Sequence, residues 1–146
     1  MSWEDDWLWG LPLFVATVVV HVTAFLAMAR MLAAAPAHLA QSKILFGVSV
    51  ALFALFAAVL HALEALAWAF LYVHIGAVPS LAEAILYSLE AITSYGHAPA
   101  FLPPHWRLVG AIEAVNGLVL FGLTTAFFFA AIQNGRSRNS TRAGSV

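Results

Sequence analysis

Pro79-Ser-Leu-Ala-Glu-Ala-Ile-Leu-Tyr-Ser-Leu-Glu-Ala-Ile-Thr-Ser-Tyr-Gly-His97 decides how the rest of the chain is read. Ser80 is a good helix N-cap, and Glu83, three residues on, is placed to reach back to it in a capping box. The apolar run from Leu81 to Ile92 is a helix, yet a bilayer crossing needs about 20 residues. This helix is too short to cross. It runs into Thr93-Ser94-Tyr95-Gly96-His97 and then Pro99, Pro103 and Pro104, the pattern of a chain that enters a membrane and turns back. Non-helical backbone at membrane depth persists only when buried in protein or lining a water-filled cavity. A re-entrant pore segment is therefore expected.

Outward from this stretch lie three runs that are long enough to span: Trp7 to Ala29, Ile44 to Ile75 and Val109 to Ile132. Trp3, Trp7, Trp9 and Trp106 stand at their ends, where interfacial aromatic belts form. The whole chain has 146 residues, 63% hydrophobic and 9% charged. Soluble domains have about 45–50% apolar and about 25% charged residues. Six basic and seven acidic side chains cannot clothe a water-facing surface, so the partner of most of this surface is the lipid bilayer.

Five of the six basic residues are Arg30, Lys43, Arg136, Arg138 and Arg142. The positive-inside rule then places the N-terminus outside, the 30–43 loop and the C-terminus in the cytoplasm, and the 76–108 connection outside. The expected location is the cell (inner) membrane. The acidic start, Glu4-Asp5-Asp6, does not resemble a cleaved signal. The absence of cysteine rules out disulfides and thiolate chemistry. A net charge of −1 and a short arginine tail give no nucleic-acid footprint. No Ser/His/Asp set or water-accessible carboxylate pair points to an enzyme.

The order of long helix, short helix, Thr/Tyr/Gly segment and long helix resembles the pore module of bacterial two-transmembrane potassium channels, over Ile44 to Gln133. Tyr87-Ser88, Thr93 and Tyr95-Gly96 are similar to that family's pore helix and filter. Gly117 and Gly122 match its inner-helix hinge glycines, and His61-Ala-Leu-Glu64 and Trp68-Ala69 its outer helix. The resemblance implies an all-α membrane protein, with three transmembrane helices and one re-entrant pore helix per chain. It also implies a homotetramer around one potassium-channel-like pore, since a single hairpin cannot enclose one. The domains are then 1–35 with an extra transmembrane helix, the cytoplasmic loop 36–43, the pore domain 44–133 and the cytoplasmic tail 134–146. The implied function is passive conduction of monovalent cations, K⁺ first and Na⁺ second, with no cofactor and no metal beyond the permeant ions.

The filter departs from the family's Thr-Val-Gly-Tyr-Gly-Asp. Aligned on Tyr87-Ser88-Leu89 it lacks the Val-Gly pair. Aligned without a gap it has Thr93 on Val and Ser94 on the first Gly. Rings of backbone carbonyls replace the ion's hydration shell, so a lost pair, or a serine where glycine would take left-handed backbone, weakens K⁺/Na⁺ discrimination. By the same resemblance Thr93, Ser94, Tyr95, Gly96 and His97 form the filter, and His97 at its mouth is a candidate proton sensor. Leu118, Phe121, Thr125 and Phe129 line the pore, and Phe128 or Phe129 forms a hydrophobic gate.

Glu64, Glu90 and Glu113 lie in apolar helices, where an unpartnered acid is costly. They are expected to support the filter through buried hydrogen bonds, and His61 and Glu64, one turn apart, to pair. Two other classes compete. One is a non-selective or non-conducting channel-derived protein that kept the channel fold. The other is a haem- or metal-binding electron carrier using histidines on separate helices, among His21, His61 and His74.

Overall fold

A computed structural model describes residues 3–34, 43–96 and 102–143. Its regular elements are all helical: α1 (Trp3–Ala34), α2 (Lys43–His74), α3 (Leu81–Ile92) and α4 (Arg107–Ala143), with a 3₁₀ turn at Pro104–Trp106 before α4. Three stretches, Glu4–Met31, Ile44–His74 and Pro104–Gln133, are long and apolar enough to cross a membrane. α4 continues as helix past Gln133 to Ala143, where the sequence reading expected a separate tail. Asn134 to Ala143 contains no proline, so nothing in its covalent structure ends the helix. His97, Pro99 and the 36–42 part of the loop lie outside the described residues.

Two turns set the position of α3. α2 closes with Gly76 in left-handed backbone, φ 68°, while Ala77 N–H donates to the Tyr72 carbonyl at 2.8 Å and Gly76 N–H to that of Val73 at 3.1 Å. This is a Schellman cap, which satisfies helix-end carbonyls and reverses the chain within a few residues. Ser80 then caps α3, accepting from Glu83 N–H at 3.2 Å. The Ser80 half of the expected capping box is thus present.

α3 lies between α2 and α4, and α1 packs chiefly along α4. At the end of the bundle where α3 begins, Trp68, Tyr72, Val78, Leu102, Trp106, Val109 and Ile112 form the largest apolar core. Trp106 is therefore a core residue and not part of an interfacial belt, whereas Trp7 and Trp9 are exposed. The 3₁₀ turn holds it in one core cluster with Ala77 and Val78 of the α2–α3 connection. At the opposite end Phe25 gathers Phe53, Phe56 and Phe127 within 5.6 Å, centroid to centroid. Between these two apolar cores lie most of the buried polar side chains, among them His21, His61, Glu64 and Asn116.

Candidate functional site

The first polar group ties α3 to its neighbours. Glu113 on α4 is fully buried; Tyr72 Oη of α2 donates to its Oε2 at 2.5 Å, and Ser88 Oγ of α3 meets its Oε1. Ser88 Oγ also lies 2.6 Å from the Ala65 carbonyl. One hydroxyl hydrogen cannot serve two acceptors, so one of the two contacts needs a hydrogen from position 113, which a neutral carboxyl supplies. Two glycines of α4 permit this approach. A Cβ at Gly117 would collide with the backbone of Ile92, and one at Gly110 with the Tyr87 hydroxyl. Gly117 therefore has a packing role whatever its role as a hinge, while nothing crowds Gly122.

α3 ends in the stretch read as the filter. Thr93 N–H and Oγ1 both return to the Leu89 carbonyl, at 3.2 and 2.6 Å. Ser94 N–H donates to Ala91 at 3.0 Å and Tyr95 N–H to Glu90 at 2.9 Å, with Ser94 at φ 56°. This repeats the Schellman cap of Gly76 with serine in the left-handed position. The resemblance implies a filter whose carbonyls point to the pore from Thr93 onward. The backbone instead uses Thr93 and Ser94 to satisfy the carbonyls of α3, and left-handed geometry recurs at Gly96, φ 69°. Thr93, Ser94, Tyr95 and Gly96 are exposed on the single chain.

The expected pore-lining set divides. Leu118, Thr125 and Phe129 share an open face of α4, with Leu118 63% and Phe129 64% exposed. Phe121, 41% exposed, stacks on His61 of α2 at 4.2 Å between centroids and is partly turned off that face. Phe128 meets Phe53 edge-on at 4.4 Å, which makes it a helix-packing residue; of the two gate candidates only Phe129 stays open.

The three acids do not form one group. Glu90 is half-buried on α3, and its Oε2 has no hydrogen-bond partner among the described residues. Glu64, on α2, points toward α1 and α4. Its Oε1 lies 2.8 Å from His21 Nδ1 and its Oε2 3.3 Å from His61 Nδ1. The His61–Glu64 pair was legible from its spacing. The contribution of His21 from α1 and of Thr124 from α4 was not, since no local pattern joins them. Thr124 Oγ1 stands 3.0 Å from His21 Nε2 and 3.1 Å from His61 Nε2.

His74 is elsewhere, edge-on to Trp9 at 5.4 Å. The Nε2 atoms of His21 and His61 converge on one hydroxyl, an arrangement that does not suit axial ligation on opposite faces of a haem. Above this cluster Asn116 of α4 donates to Thr17 Oγ1 at 2.6 Å, a further bond to α1. Comparison with known families, characterised proteins and solved structures returns no match to this chain.

Proposed function

We propose that this chain is one subunit of a homotetrameric cation channel that passes monovalent ions passively, K⁺ in preference and Na⁺ less readily. It would sit in the cell membrane with the N-terminus outside and the C-terminus inside. The observation that carries the proposal is the placement of α3. A 12-residue helix, too short to span, is wedged between two helices long enough to do so. Ser88 with Glu113, and Ile92 against Gly117, fasten it at two levels. A spanning protein has little reason to fix a short helix among long ones unless the chain that follows lines a cavity. That chain, Thr93 to Gly96, and the Leu118, Thr125 and Phe129 face of α4 are left uncovered, as surfaces awaiting copies of themselves would be.

The helix dipole of α3 has its negative end at Ile92, which favours a cation beyond it. Left-handed backbone at Ser94 and Gly96, two residues apart, agrees with the alignment that sets Ser94 on a filter glycine. One observation favours a second reading, a channel-derived scaffold that does not conduct. The N–H groups of Thr93, Ser94 and Tyr95 close their own helix in a capping turn, not an extended filter.

The test is the K⁺/Na⁺ bi-ionic reversal potential of purified protein in a planar bilayer, with pH stepped between 5 and 8. Current with a reversal potential displaced toward K⁺, but well short of that of a strongly K⁺-selective pore, is the expected result for a filter whose carbonyl ladder is shortened. Silence at every voltage and pH rejects the channel in favour of the scaffold.

A further inference from the structure

His21, His61, Glu64 and Thr124 form a closed ring among α1, α2 and α4, with the two histidines and Glu64 buried and Thr124 half-buried. It has four polar contacts: each imidazole Nδ1 with one Glu64 oxygen, and each Nε2 with the Thr124 hydroxyl. Two neutral imidazoles and one hydroxyl bring three hydrogens, and a carboxylate brings none. The ring is one cation short. The deficit appears at a definite place, because His61 Nδ1 and Glu64 Oε2 are buried, 3.3 Å apart, and neither has a hydrogen-bond partner among the described residues.

We propose that this ring is a binding site for a divalent first-row transition ion of the Zn²⁺ type, held by His21 Nδ1, His61 Nδ1 and the Glu64 carboxylate. One ligand atom from each residue already lies within 4.8 Å of the others. Bonds of about 2.0–2.2 Å at tetrahedral angles set neighbouring ligand atoms about 3.3 Å apart, close to the 2.8 and 3.3 Å between carboxylate and imidazoles. Two imidazoles and one carboxylate suit zinc and its neighbours, whereas Mg²⁺ and Ca²⁺ call for all-oxygen sites.

Thr124 supplies the outer support such sites need. Its oxygen has two lone pairs and accepts from both Nε2–H groups, which holds both rings in the tautomer that turns the Nδ1 lone pairs to the ion. The carboxylate offers one oxygen beside each ring. The ion would pin α1, the helix without a counterpart in the pore module, to α2 and α4. This inference does not depend on conduction.

The experiment uses the full chain purified in detergent, stripped with chelator and titrated with Co²⁺, while Zn²⁺ content before stripping is measured by mass spectrometry. The expected result is about one ion per chain and a visible d–d band that Zn²⁺ abolishes. His61→Leu and Glu64→Gln should lose the band, and His74→Ala should keep it. Thr124→Val leaves all three ligands in place and should bind 10–100-fold more weakly, in the range typical of outer-shell substitutions. Circular dichroism separates loss of the site from loss of the fold. Wild-type protein that takes up no stoichiometric metal between pH 6 and 8 overturns the proposal, as would a band that survives both His61→Leu and Glu64→Gln.

Discussion

Replacing Glu113 by glutamine should be nearly neutral and by leucine destabilising, and the difference follows from hydrogen counting. Position 113 accepts from Tyr72 Oη at 2.5 Å and faces Ser88 Oγ, whose own hydrogen can go to the Ala65 carbonyl at 2.6 Å. An amide reproduces this pattern: its oxygen accepts from Tyr72 and its nitrogen donates to Ser88. Leucine removes both contacts and strands the Tyr72 hydroxyl, which is buried at 0% exposure. Interhelical hydrogen bonds in membrane proteins average ~0.6 kcal/mol and reach ~1.7, so two lost bonds amount to about 1–3 kcal/mol. Glu113→Gln should stay within about 0.5 kcal/mol of the parent, the usual range for a change that leaves no buried group unpaired.

Unfolding in mixed micelles, followed by the fluorescence of buried Trp68 and Trp106, measures both variants. A double-mutant cycle with Tyr72→Phe isolates the pair and should give a coupling of about 0.5–1.5 kcal/mol. Glutamine as damaging as leucine, or a coupling of zero, would refute the hydrogen assignment. It would also remove the main reason for regarding Glu113 as the strut that holds α3.

Two further substitutions test the placement of α3. Ser94→Gly relieves a left-handed serine at φ 56° in a cap that α2 completes with glycine, and should raise stability by about 1 kcal/mol in the same micelle assay; a destabilised variant would mean that the serine hydroxyl has a partner the turn requires. Gly117→Ala drives a Cβ into the backbone of Ile92 and should cost about 1–3 kcal/mol, as overpacking does. Gly122→Ala, with nothing within 4 Å, is the matched control. Equal effects of the two alanines on stability would show that α3 does not seat against α4.

The sequence alone determined the elements. Three apolar runs and one short run were visible because membrane-crossing length and helix capping are local properties, read along the chain at 1.5 Å per residue. α3 occupies Leu81–Ile92, the bounds expected of it, since Ser80 caps one end and Gly76 has already reversed the chain. The His61–Glu64 pair was equally local, one helical turn apart.

Only the tertiary structure decided which faces meet. The spacing along α2 gives Glu64 one histidine; the second arrives from α1, 43 positions away in sequence, and Thr124 from 103 positions beyond His21. Phe121 and Phe128 lie on the same helix as Leu118 and Phe129, yet α2 covers part of the first and most of the second. In helices this uniformly apolar no polar stripe marks an outside, so periodicity cannot say which side turns to lipid and which to protein. Small residues and buried hydrogen bonds settle that choice, because in a bilayer close backbone approach and polar pairing, not the hydrophobic effect, bring helices together.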